Sequence, residues 1–382
     1  MLRSKLPDNT LKTAIEILDA AEKSHAVDLA CSVPDFNMSQ KLVDSIARHI
    51  SNGKNQYSPI EGIMPLRQAI AEVYLKEFDA QYNPETDITI TAGSTEALWT
   101  AISAIVHEDD EVIVFEPVYE NYVPAIRLNG GTPIFITLKY PDYRIDWNEV
   151  MRWVNQRTKM IIISNPHIPT GAVLSDEDMQ KLQKIVAGSK IVILSDETYG
   201  NFHYNTPISS VASYPMLAKQ SIVISSLGKS FNATGWKTGT CCAPADYTAE
   251  IRKMHNYICN GSNTAIQYAF SDFLPDDGNG EIAQVRELYL HKRNLLCDLL
   301  KDSKYKLTPT EGSWFQAIDC SDVTADLDYD FALRLVTQYG VAVFPMSMFF
   351  HDKNKSNIIR VCFAREDDTI KRGVERLLEA EK

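Results

Sequence analysis

From about residue 87 the chain alternates short apolar runs with stretches whose apolar positions recur at helical spacing. Strands are expected at 88–91, 111–115, 134–138, 160–164, 191–195, 222–225 and 239–242. Several of these are continuously apolar and rich in Val and Ile, the pattern of strands buried on both faces. Helix-like stretches lie between them, including 95–106 and 176–187, the second opened by Ser175 as N-cap with Asp178 three residues on. Strand and helix in alternation predict an α/β fold: a mostly parallel, seven-stranded sheet flanked by helices.

After about residue 281 the pattern changes. Residues 281–300 read as one long amphipathic helix, followed by a strand at 315–318, a helix near 329–339, a strand at 358–363 and a closing helix from about 368. The first 45 residues lack sheet-like periodicity. The expected division is a large unit at 46–280 and a smaller α+β unit formed from both chain ends, 1–45 and 281–382. A cleft is expected where the carboxyl ends of the strands meet the smaller unit.

Composition narrows the class of protein. The 382 residues are 45% hydrophobic and 23% charged, an ordinary globular balance. A net charge of −12 and the lack of any Lys/Arg run argue against a nucleic-acid partner. The cysteines Cys31, Cys241, Cys242, Cys259, Cys297, Cys320 and Cys362 are odd in number and include no C-x-x-C pair, so neither a disulfide framework nor a metal site is expected. Met1 to Lys5 are not followed by the apolar stretch of a signal peptide, and no run reaches the ~18 apolar residues of a membrane span. These features point to a cytoplasmic protein without a membrane partner.

Candidate chemistry gathers at the ends of expected strands. Gly228, Lys229 and Ser230 follow an apolar strand, but a P-loop needs a second glycine five residues before Gly228, and Val223 stands there. Lys229 therefore needs other partners to be more than a surface charge. Asp196 and Tyr199 follow the strand at 191–195. Asn165, Pro166, His167, Ile168, Pro169, Thr170 and Gly171 form a proline-rich turn after another. Gly93, Ser94, Thr95 and Glu96 join a strand to a helix whose amide groups and dipole favour a phosphate.

Taken together, these segments resemble the class I aminotransferases of pyridoxal-phosphate fold type I, from about residue 27 to the C-terminus. Within that family the chain is most similar to the methionine and kynurenine aminotransferase branch. The resemblance is carried by Asn55-Gln56-Tyr57, Gly93-Ser94-Thr95-Glu96, Glu116-Pro117-Val118-Tyr119, Asp196-Glu197-Thr198-Tyr199, Gly228-Lys229-Ser230-Phe231, Thr234-Gly235-Trp236-Lys237 and Ile359-Arg360-Val361-Cys362-Phe363.

The resemblance implies pyridoxal 5′-phosphate as cofactor, held covalently by Lys229, which then moves the substrate proton. It implies that Asp196 holds the pyridine nitrogen protonated, Tyr199 donates to the phenolic oxygen and Tyr119 stacks on the ring. Ser94, Thr95, Ser226 and Lys237 match phosphate-binding positions, with Lys237 in place of an arginine. Arg360 matches the residue that grips the substrate α-carboxylate. Tyr57 matches a tyrosine reaching the neighbouring subunit's phosphate, which implies a homodimer with shared active sites.

Two positions depart from the family pattern. Ile168 replaces an asparagine that hydrogen-bonds the phenolic oxygen; Asn165 remains, at a different motif position. Ser32 replaces a glycine where backbone approaches the substrate carboxylate. The implied reaction moves an amino group from methionine, an aromatic amino acid or a kynurenine-like donor to a 2-oxo acid. The rival chemistry is a β-lyase of the cysteine-conjugate type, because the same carbanion can expel a leaving group. A ligand-sensing regulator would need an appended DNA-binding module, for which the short N-terminal segment leaves no room.

Overall fold

The computed structural model describes residues 5–6, 10–275, 279–352 and 356–382. Met1 to Ser4, used in the reading of the N-terminus, lie outside them.

The seven expected strands form one sheet. From edge to edge it runs Ile88–Thr91, Gly239–Cys242, Ser221–Ser226, Val192–Asp196, Thr158–Ser164, Glu111–Glu116 and Thr132–Thr137. Gly239–Cys242 is antiparallel to both neighbours, and the remaining pairs are parallel. The five interior strands are buried along almost their whole length, with Lys159 and Ser225 half-buried, as Val/Ile-rich runs require. Thr132–Thr137, at the edge, shows a mixed pattern with both end residues exposed. Several strands begin or end a residue or two from the expected limits, because ladder partners, not hydrophobicity alone, set where pairing stops.

The apolar residues divide between the two faces of this sheet. Ile113, Ile161, Ile163, Ile193 and Val223 join a large cluster continuous with the C-terminal elements. Val112, Val114, Ile162, Leu194, Ile222 and Ile224 face a second cluster beneath the helices Gly93–Ile105 and Ala245–Ile258. Alternation along each strand therefore buries both faces.

The helix Asp176–Val186 opens with a full capping box: the Asp178 amide donates to Ser175 Oγ at 3.2 Å, and the Ser175 amide to Asp178 Oδ2 at 2.8 Å. The long C-terminal helix spans Asn279–Leu300. The helix expected near 329–339 is α-helical only over Asp328–Arg334 and continues as a π-helical turn, Leu335–Tyr339, that ends at Gly340 with φ +72°.

A three-stranded antiparallel sheet stands beside the large one, in the order Phe344–Pro345, Ile358–Cys362, Phe315–Asp319. Val27–Asp28 pairs with Val341–Ala342 in parallel, which brings the N-terminal segment to the C-terminal elements. The helix Gln40–Ser51 instead packs on Thr264–Phe273.

Candidate active site

The carboxyl ends of the parallel strands, and the amino end of the single antiparallel one, share one edge of the sheet. Register makes the alignment definite. Thr91, Gly239 and Ser226 lie side by side, and so do Ser164, Asp196 and Ile224. The segments carrying Gly93, Tyr119, Ile168, Asp196, Lys229 and Lys237 therefore lie at one edge of the sheet, where ligands bind in open α/β sheets.

Lys229 lies in the short helix Leu227–Ser230, whose N-cap Ser226 accepts from the Lys229 amide at 3.3 Å. Its ammonium nitrogen sits 5.1 Å from the centroid of the Tyr199 ring and 5.7 Å from that of Trp314. Burial lowers its pKa to about 8; Asp196 opposes this shift, and the charge of Lys237 adds to it. A lysine so placed is a neutral nucleophile in a substantial fraction of molecules near neutrality.

Asp196 is completely buried. Its Oδ2 accepts from the Tyr122 hydroxyl at 2.6 Å and its Oδ1 from the Thr198 amide at 3.0 Å. Burial raises its pKa, while these donors and Lys229 pull the other way. An unpaired buried carboxylate would neutralise itself, so these donors keep Asp196 able to act as an anion. Tyr122 was not singled out in the sequence. An aromatic at the start of a short helix carries no signal of chemistry until its partner is known. Its ring also meets Tyr119 edge-on at 5.4 Å, and the Tyr119 hydroxyl accepts from Asn121 Nδ2 at 2.6 Å.

The N-terminus of the helix Gly93–Ile105 forms a second part of the site. Gly93 has φ +83°, and a Cβ placed there would lie 3.2 Å from Lys237 Cε and 3.3 Å from Nζ. A Cβ on Gly239 would come within 2.6 Å of both the Gly93 carbonyl carbon and the Ser94 amide nitrogen. Only glycine allows the helix to start this close to the neighbouring strand. Glu96 secures the start from behind: its carboxylate accepts from the Ala92 amide at 3.1 Å and bonds His255 Nδ1 at 2.9 Å. Ser94 and Ser226 are buried, Thr95 half-buried, and Lys237 takes a left-handed φ of 50°. Free amides, hydroxyls and an ammonium group converge here on a cradle suited to a phosphate.

Arg360 closes the other side. It is buried, donates from Nη2 to the Ala30 carbonyl at 3.0 Å, and leaves its Nε without a partner. Its guanidinium carbon lies 4.2 Å from the Phe315 ring centroid and 5.0 Å from those of Phe344 and Phe349. Arg365, also missed in the sequence, bonds the carbonyls of Asp28 and Cys31 at 2.6 Å and that of Val33, and pairs with Asp28 at 3.1 Å. It thereby fixes the segment containing the half-buried Ser32 beside Arg360.

Ile168 is buried in the main apolar cluster, with its amide donating to Ser164 Oγ at 3.2 Å. Asn165 does not take over the missing contact. Its side chain is spent on the Ser209 carbonyl at 2.8 Å and the Leu174 amide at 3.0 Å. Tyr57 is 86% exposed on the single chain.

A pyridoxal phosphate fits this arrangement. The cradle at Gly93 and Gly239 would take the phosphate, Lys229 offers an amine, and Asp196 offers a buried carboxylate. Two buried donors with no protein partner, Trp314 Nε1 and Arg360 Nε, await an acceptor. Fold and site together define a pyridoxal-phosphate-dependent aminotransferase of fold type I. The chain belongs to the aminotransferase class I and II family, whose model matches residues 24–377.

Among its relatives is the methionine aminotransferase of Escherichia coli, 37% identical over 98% of this chain and 97% of that protein. A kynurenine–oxoglutarate transaminase of Dictyostelium discoideum is 30% identical over 96% of this chain and 94% of its own length. A solved Escherichia coli structure described as having a methionine aminotransferase function superposes with a TM-score of 0.95, at 36% identity over 99% of both chains. The N-succinyldiaminopimelate aminotransferase of Mycobacterium tuberculosis superposes with a TM-score of 0.94, at 30% identity over the full length of both. The protein is an enzyme of amino-group transfer. The β-lyase reading gains no support from these relatives. Among the described residues, no helix is long and apolar enough to cross a membrane, and no cluster of metal-ligating side chains occurs.

Proposed function

We propose that the protein is a homodimeric cytoplasmic transaminase whose amino donors carry neutral side chains, methionine, an aromatic amino acid or a kynurenine-like compound, and whose acceptors are 2-oxo acids. The observation that carries this reading is Arg360: a buried cation framed by phenyl rings, on the same cleft as the Lys229 amine. Such a cation takes one carboxylate in a fixed orientation, and the rings around it suit an apolar side chain. The names of the methionine and kynurenine relatives support the same donor class.

When bound, pyridoxal phosphate supplies a ring that accepts the electron pair left as the donor's Cα loses its proton. The chain's own residues do the rest. Lys229 would hold the cofactor and, once released, carry the proton away from Cα. Asp196, hydrogen-bonded by Tyr122 and Thr198, would hold the proton on the pyridine nitrogen. Tyr199 would donate to the phenolic oxygen, and Tyr119 would stack against the ring. Ser94, Thr95, Ser226 and Lys237 would hold the phosphate. Arg360 would orient the α-carboxylate, with Ser32 close by.

In such a dimer Tyr57 would reach the phosphate bound by the second copy. Tyr57 and Tyr257 are 86% and 87% exposed, with Ile60 and Ile258 also exposed, and Ser58 Oγ ties their two segments together through the Ser262 carbonyl at 3.0 Å. Apolar surface of this kind on one chain is the mark of an interface. The large unit at 46–280 carries most of the cofactor site, and the unit from both chain ends carries Arg360.

An amino-donor screen against several 2-oxo acids, with products separated by chromatography, tests this reading. The expected result is conversion of methionine and aromatic donors only when an oxo acid is present. Pyruvate and thiol release without an acceptor would establish the β-lyase instead.

A further inference from the structure

The Phe349 ring, 5.0 Å from the Arg360 guanidinium carbon, belongs to the short turn Met346–Phe349 between two strands of the small sheet. Two joints fasten the end of that turn to the large sheet. In the first, the Val118 amide donates to the Phe349 carbonyl at 2.7 Å. In the second, His351 meets Glu116, the last residue of the strand Glu111–Glu116.

Glu116 is buried, and its carboxylate takes three donors. Its Oε1 accepts from the Thr137 hydroxyl at 3.0 Å, a bond made within the large sheet, where the two residues face each other. Its Oε2 accepts from the His351 amide at 3.1 Å and bonds His351 Nδ1 at 2.9 Å. The imidazole also lies flat on the Phe135 ring, with centroids 4.1 Å apart and planes within 9°. A bond to a buried carboxylate is stronger than the same bond in water. The two backbone bonds would survive almost any residue at 351; the imidazole is the part of the clasp that depends on the side chain.

We propose that His351 is a positioning residue for the α-carboxylate site: through Glu116 its ring fastens the Phe349 wall beside Arg360 to the strand end that leads to Tyr119. The proposal rests on Arg360 as the carboxylate-binding cation. Without the ring bond, the wall is in place for a smaller fraction of the time, and apparent affinity falls with that fraction. Donor and acceptor should suffer alike, because both carry the same carboxylate.

The test titrates holoenzyme with propionate, a carboxylate that reports on Arg360 without turnover, and follows the first half-reaction with methionine. His351→Phe keeps a ring to stack on Phe135 and removes the bond to Glu116. His351→Asn sets an amide nitrogen close to the place of Nδ1 and keeps the bond. Thr137→Val removes the other side-chain donor to Glu116 without touching the turn. In His351→Phe the propionate Kd and the half-saturating methionine concentration should each rise about fivefold or more, with the maximal rate within about twofold of wild type. Both constants should stay within about twofold of wild type in His351→Asn and Thr137→Val. Should His351→Phe not fold, His351→Gln replaces it with the same expected rise, since its amide falls at the place of Nε2. No rise in the bond-breaking variant, an equal rise in His351→Asn or Thr137→Val, or a matching loss of cofactor retention overturns the role of His351. Arg360→Ala separates the two readings: if it too leaves propionate binding unchanged, the carboxylate site itself is misassigned, and if it weakens binding while His351→Phe does not, only the clasp falls.

Discussion

The guanidinium of Arg360 lies 4.2 Å from the ring of Phe315, its diagonal neighbour across an antiparallel pair in which Arg360 faces Ala317 and Cys362 faces Phe315. Phe344, directly opposite Arg360 on the other side, adds a second ring at 5.0 Å. The small sheet thus holds the cation by its faces and leaves its edge N–H groups for a carboxylate.

Arg360→Ala should weaken amino-acid binding at about 1.5–3 kcal/mol for each charged hydrogen bond lost. The visible spectrum of the bound cofactor should stay as it is. Phe315→Leu should raise the KM for donor and acceptor alike, by no more than the ~0.5–2 kcal/mol of a cation–π contact. Steady-state kinetics beside spectra check both. Unchanged amino-acid affinity in Arg360→Ala would reduce that residue to a structural role.

Borohydride reduction of the holoenzyme followed by peptide mapping should place the pyridoxyl group on Lys229, and Lys229→Ala should lose turnover. Recovery of the label chiefly on another lysine would contradict the assignment.

Capture of pyridoxal phosphate by the apoenzyme should follow the neutral amine of Lys229. With the pKa lowered to about 8, the capture rate should climb as pH rises through 8 and level off above it. Asp196 raises this pKa and Lys237 lowers it, so Asp196→Asn should move the midpoint down and Lys237→Ala should move it up. Stopped-flow absorbance across pH 6–11 measures the midpoint; a value near the ~10.4 of an ordinary lysine would show that burial does not act as described.

Tyr122→Phe removes the 2.6 Å donor from Asp196 while keeping the edge contact with Tyr119. A hydrogen bond to a charged acceptor is worth about 1.5–3 kcal/mol. Asp196 should then titrate higher, the first half-reaction should slow, and cofactor should dissociate more readily. Asp196→Asn should show the same signature more strongly. Single-turnover rates and the cofactor dissociation constant report on both variants, and a wild-type rate in Tyr122→Phe would remove that residue from the site's electrostatics.

Gly239→Ala forces a methyl group to within 2.6 Å of backbone at Gly93 and Ser94, where no flexible side chain can yield. Overpacking of this kind costs about 1–3 kcal/mol. The loss should appear both as a lower midpoint of thermal unfolding and as weaker cofactor retention. Unchanged retention would mean that the helix start is not the phosphate cradle.

Local pattern alone revealed the alternating strands, the cap at Ser175 and the strand-end positions of Lys229 and Asp196. Apolar runs and cap residues act through nearest neighbours, so the one-dimensional order carries them. The antiparallel direction of Gly239–Cys242 was not legible, because a four-residue apolar run reads the same either way. Its direction matters: it brings Lys237 to the edge that holds Gly93.

The chain order also carried the family resemblance, and with it the expectation of Lys229, Asp196, Tyr199 and Arg360 as a group. Tyr122, Arg365 and the rings around Arg360 became visible only in the folded molecule. Tyr122 bonds a residue 74 positions away and Arg365 a segment more than 330 positions away. Side chains of such common types acquire a role only through the partner that packing brings to them. Sequence therefore determined which reactive groups the protein owns and the strand ends they occupy. Tertiary structure alone decided which of them are charged, what holds them, and that Ile168 lies in the core with Asn165 committed elsewhere, because burial and long-range contacts set the cost of every charge.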